Sequence, residues 1–340
     1  MSNAIRSNIL SYEDKLCNGG STESIDGEAT QALGEYMDQG YAPPDSWQKS
    51  TCCGSRSFLC CKKCYRLLVP REDWPKPVQD GSLQLPFDLH ILLEDRETQS
   101  SGVQLKSVLD AAAGAAPNYE YELGTEERED MEHNNSYASS SSSSSRVKVF
   151  NLEHGEMPPY SDCTAYDAAY LLFPGTDSIP LSKLLQEKRA RIKTLVVLDC
   201  RWSHSSARFH PDLASLPKVS LDHPPAQSYY WRWHNTGAGM LSTAEATYFA
   251  AWQILTASLD IGWTLEERKG RLVHLLYLFR LQRALIEQKY ARNEVQGINP
   301  HLPFSEEGKE FSRKLRENKK NKKKQKISQQ QENANQELPS

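Results

Sequence analysis

Leu195-Val-Val-Leu-Asp199 is a run of four apolar residues that ends on a carboxylate. Such a run suits a central strand of a parallel sheet, where helices cover both faces and no alternation with polar residues is needed. Leu85-Pro-Phe-Asp-Leu-His-Ile-Leu-Leu93 reads as a second buried strand, bounded by Pro86 and polar Glu94-Asp95. Arg146-Val-Lys-Val-Phe-Asn151 alternates as a strand does, and Ala169–Phe173 is a short strand stopped by the turn signal Pro174-Gly175. Tyr229–Trp233 reads as a further strand. Leu181–Ile192 reads as a helix. Ser242-Thr-Ala-Glu245 is a capping box that opens a helix through about Leu259, and another helix runs from about Leu265 to Tyr290. Strands alternating with helices make an α/β sheet with flanking helices the expected fold.

The chain has 340 residues, enough for one large domain or two ordinary ones. Its 40 Lys and Arg against 44 Asp and Glu exclude a uniformly basic nucleic-acid coat, and no DNA partner is expected. The hydrophobic content of 38% is low because three stretches are polar. Residues 1–45 read as mostly disordered, with a short helix near Glu28–Met37. Residues 118–145 form an insertion: positions 119–132 carry seven carboxylates, and seven serines follow at 139–145. Acid and serine runs bury too little apolar surface to offset chain entropy. Residues 305–340 form a tail in which Arg313–Lys326 holds nine bases and Glu317, a net +8, before a Gln/Asn-rich end. No run of about 18 apolar residues exists, so no membrane helix is expected. With no secretory signal either, the expected compartment is reducing and the cysteines are expected as thiols.

Five cysteines, Cys52, Cys53, Cys60, Cys61 and Cys64, fall in a module spanning residues 50–75. Cys61-Lys-Lys-Cys64 is a C-x-x-C knuckle, a spacing at which two thiolates can share a zinc ion. The other half is irregular, because position 50 is Ser where a second C-x-x-C needs Cys. The expectation is one structural zinc held by Cys61, Cys64 and two of the remaining three, with Cys52 and Cys53 the pair taken. Buried or redox thiols are the alternative.

Three patches sit at expected strand ends, where open α/β sheets place ligands. They are Phe173-Pro174-Gly175, Asp199-Cys-Arg-Trp202 and Leu241-Ser242-Thr243-Ala-Glu245. Asp199 reads either as a partly desolvated base or as the N-cap of the helix that follows it. Backbone amides at Ser242-Thr243 read either as a carboxylate or phosphate site or as plain capping. Trp231 and Trp233, flanking Arg232, read either as stacking platforms or as core.

These motifs, in this order, resemble the DTW-domain proteins, the tRNA-uridine aminocarboxypropyltransferases, and lie closest to the branch of DTW domain-containing protein 1. The resemblance covers about residues 50–290 outside the insertion. It rests on Cys53-Gly-Ser-Arg56 to Cys64-Tyr65, Leu85-Pro-Phe87, Leu172-Phe-Pro-Gly175, Leu198-Asp-Cys-Arg-Trp202, Tyr230-Trp-Arg232 and Leu241-Ser-Thr-Ala-Glu-Ala246. Arg201 stands where the family has Thr before Trp, which leaves the D-x-x-W frame intact. The resemblance implies a SPOUT-like sheet with a knotted C-terminal region, a catalytic domain over residues 80–292, and transfer of a 3-amino-3-carboxypropyl group from S-adenosylmethionine to N3 of a tRNA uridine, in the D-loop for the nearest branch.

On that reading Asp199 takes the N3 proton and Trp202 packs on the adenine or the target base. Phe173, Pro174, Gly175, Arg232, Ser242, Thr243 and Glu245 form the cofactor site. The tail lies beyond the resemblance; from its charge alone Lys319, Lys320, Lys322, Lys323 and Lys324 read either as tRNA phosphate contacts that are also a nuclear address or as a nuclear address only, with the cytosol as the alternative location. A SPOUT-type tRNA methyltransferase and a non-catalytic zinc-containing RNA-binding adapter are the rival readings.

Overall fold

The computed structural model describes residues 25–39, 49–94, 100–114, 146–160, 168–187, 191–200, 211–225, 228–230, 240–257 and 264–291, with positions 97, 317 and 321. An N-terminal helix α1 (Ile25–Asp38) comes first, followed by a hairpin of β1 (Ser50–Cys52) and β2 (Ser55–Ser57). After a one-turn helix α2 (Lys76–Gln79), the elements alternate: β3 (Asp88–Leu93), α3 (Ser101–Ala112), β4 (Val147–Asn151), β5 (Ala169–Leu172), β6 (Ile179–Pro180), α4 (Leu181–Glu187), β7 (Thr194–Asp199), α5 (Pro211–Ala214) and β8 (Lys218–Ser220). Three C-terminal helices follow, α6 (Thr243–Ala257), α7 (Leu265–Leu272) and α8 (Tyr277–Ala291).

Six strands form one sheet in the order β4-β3-β7-β5-β8-β6, and every pairing in it is parallel. β7, the apolar run, lies between β3 and β5 with both neighbours bonded, as a run without alternation requires. Strand side chains alternate between faces. Leu89, Ile91, Leu195 and Val197 enter the larger core beneath the helices. Leu92, Leu171 and Val196 enter a smaller one closed by Tyr160, Leu213 and Leu216. Asp199 continues the Leu195–Val197 face, so its carboxyl points toward the helices. α6 packs against β7, α1, α3 and α4. It is buried nearly all round, from Ala244 to Leu255, which suits a helix inside the core rather than on its surface.

Two expectations change. Tyr229 and Tyr230 lie in no strand, and 231–233, with Trp231 and Trp233, lie outside the described residues; the Tyr229 amide donates to Glu245 and the Tyr230 amide to Ser228, so neither amide is available to a ladder. The single helix expected over 265–290 is broken by a 3-10 turn at Val273–Leu276. Leu272, Val273, Leu275, Leu276, Leu278, Phe279 and Leu281 are all buried, a pattern too wide for the one stripe of a straight surface helix.

α1 is longer than expected and well docked. Ala29, Ala32, Leu33, Tyr36 and Met37 are buried on one helical face, and the Tyr248 hydroxyl donates to the Ala29 carbonyl at 3.0 Å. The rest of residues 1–45, apart from that helix and position 39, the 118–145 insertion and, apart from positions 317 and 321, the 305–340 tail lie outside the described residues. The expected C-terminal knot depends on the chain path through 201–210 and 231–239, also outside them. No helix among the described residues is long and apolar enough to cross a membrane.

Candidate functional site

β7 ends on Asp199, and two helices begin beside it. Ser100 caps α3, its Oγ accepting from the Val103 amide at 2.8 Å. The Ser100 hydroxyl donates to Asp199 Oδ2 at 2.8 Å, and the Gly102 amide donates to the same oxygen at 2.6 Å. Asp199 therefore serves the N-terminus of a helix about a hundred residues earlier in the chain; residues 201–210, where a helix following it would begin, lie outside the described residues. Gly102 is the residue that permits this approach. A Cβ there would lie 2.5 Å from Asp199 Oδ2 and 2.7 Å from Ile91 Cγ2.

α6 starts at the same strand end. The Thr243 hydroxyl donates to the Leu198 carbonyl at 3.4 Å, and the Ala244 amide donates to Ser101 Oγ at 3.2 Å. Two helix N-termini, each the positive end of its dipole, thus converge beside a buried carboxylate. The capping box is present: the Ser242 amide donates to Glu245 Oε2 at 2.9 Å, and the Glu245 amide donates to Ser242 Oγ at 3.3 Å. Glu245 also accepts from the hydroxyls of Ser242 and Ser228 and from the Tyr229 amide. Burial raises its pKa, against the pull of those donors. Glu245 thereby latches the 228–230 segment to α6, and the Ser242 amide is engaged within the latch.

Phe173-Pro174-Gly175 leaves β5 at the same edge. Leu172 is in register with Val197, so Phe173 follows beside Leu198. The Phe173 amide donates to the Val219 carbonyl, and the Ser178 hydroxyl closes the turn on the Phe173 carbonyl at 2.6 Å. Asp199, Ser242, Thr243, Glu245 and the Phe173–Gly175 turn all lie at the C-terminal edge of the sheet. Trp202, Arg232 and the tail lysines Lys319, Lys320, Lys322, Lys323 and Lys324 lie outside the described residues. Sequence reading missed Ser100, Ser101, Gly102 and Ser228. Ser100-Ser101 ahead of the helical spacing Val103, Leu105, Val108, Leu109 is a cap signal that marks the first three.

The second cluster is local. Cys52↔Ser55 closes a two-residue hairpin whose turn residues Cys53 and Gly54 have φ of 50° and 74°. Positive φ at both positions is the primed turn that matches strand twist. This turn replaces the missing C-x-x-C and presents two adjacent thiols. The Cys61–Cys64 knuckle supplies two more, and all four sulfurs lie within 4.8 Å of one another, with Cys52 and Cys64 3.5 Å apart. Four sulfurs about 2.3 Å from one tetrahedral ion lie about 3.8 Å from each other. The four cysteines could therefore bind a metal ion, and their spacing is consistent with structural zinc. Burial works to raise Cys61, but the Cys64 and Lys63 amides bonded to its sulfur bring it down to about 7. Burial and the neighbouring thiols hold Cys52 up near 12. Cys60 is the spare: burial pushes it up to about 11, and the Ser107 hydroxyl of α3 lies beside it.

Fold and sites together define a two-part protein, a parallel α/β domain with a polar strand-end site and a cysteine module able to take a metal. The chain matches the DTW domain over residues 59–282 and belongs to the DTW domain family, which is associated with tRNA modification. No curated protein matches it, and no solved structure does.

Proposed function

We propose that the chain transfers the 3-amino-3-carboxypropyl group of S-adenosylmethionine to N3 of a uridine in the D-loop of tRNA, forming acp3U. The observation that carries this is the placement of Asp199, the carboxylate of the Leu198-Asp-Cys-Arg-Trp202 motif. Within a DTW domain, its carboxylate sits at the end of a central strand between two helix N-termini. Uridine N3–H is a weak acid, and N3 becomes a nucleophile when a positioned base removes its proton. Asp199 is that base, turned by Ser100 and Gly102, which hold Oδ2. Bound S-adenosylmethionine supplies a γ-carbon whose bond to the sulfonium breaks as N3 attacks, methylthioadenosine leaving with the bonding electrons.

The positive ends of α3 and α6 suit the cofactor's carboxylate. Thr243 and Arg232 orient it, while Trp202 packs on the adenine or the target base. Such positioning decides which carbon meets the nucleophile, since reaction follows the atom held in line at about 3–3.5 Å. The tail lysines hold tRNA phosphates and direct the chain to the nucleus. The four-cysteine module holds one structural zinc.

One observation favours a second reading of Asp199. Ser100 and Gly102 both donate to the same carboxylate oxygen and tie it to α3, which also suits an anchor in a non-catalytic RNA-binding protein. Full-length chain, unmodified tRNA transcript and S-adenosylmethionine labelled in either the methyl or the aminocarboxypropyl carbons separate the readings. Label should enter tRNA from the aminocarboxypropyl position alone. Methyl label in tRNA would make the chain a methyltransferase, and no label from either position would make it an adapter.

A further inference from the structure

Residues 49–69 contain five bases, Lys49, Arg56, Lys62, Lys63 and Arg66, and no acid. The whole chain carries −4, so everything outside this stretch carries −4 − 5 = −9, even with the basic tail included. Four thiolates and one divalent ion would add −2, leaving the loaded module at +3. It is a basic island on an acidic protein.

The thiols decide where those charges stand. Arg56 pairs with Thr51 across the hairpin, and its Nη2 donates to the Lys49 carbonyl at 3.4 Å, which sets Lys49 and Arg56 on one loop. Lys62 and Lys63 are the two middle residues of the knuckle. The 3.5 Å approach of Cys52 and Cys64 brings the two loops together. Lys49, Arg56 and Lys63 are exposed and Lys62 is partly so. Among the described residues, none of these four forms an ion pair with a carboxylate.

The module is also rigidly mounted beside the strand-end site. Cys60 meets Ser107 of α3, the same helix whose N-terminus Asp199 holds. Tyr65 lies under Lys106 of α3, 5.7 Å from the ring centre.

We propose that the cysteine module is a docking surface for the phosphate backbone of RNA, with Lys49, Arg56, Lys62 and Lys63 as its contacts and the metal as the part that sets their spacing. This rests on the reading of tRNA as substrate. The surface positions the RNA without reading its sequence, because point charges on short loops address phosphates rather than base edges.

The test uses full-length, metal-loaded chain and an unmodified tRNA transcript, with affinity measured across a salt series. Removing one base that pairs with a phosphate should reduce the log–log salt slope by about 0.7–0.9. The triple variant Arg56→Gln/Lys62→Gln/Lys63→Gln should therefore lower the slope by about 2 and weaken binding on the order of tenfold at moderate salt. The charge-keeping triple Arg56→Lys/Lys62→Arg/Lys63→Arg should bind as the native chain does. Lys183→Gln/Arg191→Gln, which removes exposed charge from the helix beside β6 and from the segment just before β7, should leave the slope nearly unchanged.

Metal content by elemental analysis should stay at the native level in all three. A neutral triple with native metal content, affinity and slope would overturn the proposal, as would an equal loss in the charge-keeping triple. Native chain that modifies tRNA while the neutral triple binds normally would sink this surface and leave the transferase reading standing. Native chain that transfers nothing but binds through the module would do the reverse. Native chain that binds no tRNA would overturn both.

Discussion

The cysteine module and the strand-end cluster are held together in opposite ways. The module's four thiols come from thirteen consecutive residues, Cys52 to Cys64, and its geometry is set by one primed turn and one knuckle. Leu59, Leu67 and Val69 dock it on the core, but Cys53 and Cys64 are exposed and Cys52 only partly buried, so an ion is the natural source of order at the sulfur end. Metal binding energy there is also folding energy. The strand-end cluster draws on residues 97, 99 and 143 positions apart, joined by hydrogen bonds around a buried carboxylate inside a packed core. One region should respond to metal and little else. The other should respond to single atoms and hardly at all to metal.

The largest expected effect breaks the first region alone. Cys61→Ser removes the sulfur that the Lys63 and Cys64 amides support. Metal should fall from one ion per chain to nearly none, and about 10–16 kcal/mol of apparent binding energy goes with it. Limited proteolysis should then cut between about residues 49 and 69 while the sheet still unfolds as one transition. Full metal content in that variant would show that the sulfurs converge for some other reason.

The next effect falls on the second region. Asp199→Asn keeps the size and removes the base, and it leaves Ser100 and Gly102 donating toward an amide. Transfer should slow by about 10²–10⁴, or roughly 3–5 kcal/mol, with metal content unchanged. Ser100→Ala removes one of the two donors and keeps the carboxylate, so it should slow transfer less. If both variants slow transfer equally, Asp199 acts as an anchor.

Gly102→Ala comes third. Its Cβ would meet Asp199 Oδ2 and Ile91 within 2.7 Å. Overpacking of this kind costs about 1–3 kcal/mol, to be read as a lower midpoint in urea. The equivalent change at Gly54, where a Cβ meets nothing within 4 Å, should cost about 1 kcal/mol, from its positive φ alone.

The difference between the regions also explains what could be read in the chain. The module was legible as a metal candidate because its ligands are neighbours, and the broken half became clear only as a turn that Gly54 permits. β7 was legible from its apolar run, and the Ser242–Glu245 box from its spacing. What escaped were the distant partners of the two carboxylates, Ser100 and Gly102 for Asp199 and Ser228 and Tyr229 for Glu245. A strand-final Asp announces that something will satisfy it, but nothing local says that Ser100 and Gly102 will. The same holds for Tyr229, expected in a strand: its amide is claimed by Glu245 sixteen residues later. Helix α3 escaped as well, although its cap signal was present.

The last effect lies outside both regions and serves as their control. His90 and His274 are both lowered to about 4, by burial first and then by Lys148 and Arg280 respectively. Both are neutral in the folded chain, while the unfolded chain takes up protons below about 6.5. Their contribution is therefore full above about pH 6.5 and is lost as pH falls toward 4. The loss should be gradual, at most about 3 kcal/mol for each histidine at the acid end. His274→Phe, which keeps the edge contact with Tyr36, should flatten part of this slope in urea midpoints taken from about pH 7 to about pH 5. An unchanged slope would show that His274 is not held neutral.

The most direct measurement is nucleoside mass analysis of tRNA from cells lacking this chain, complemented with native protein or with Asp199→Asn. The account predicts that acp3U disappears at one position, returns with native protein and stays absent with the variant. Cells whose tRNA keeps its full complement of acp3U without the chain would contradict it.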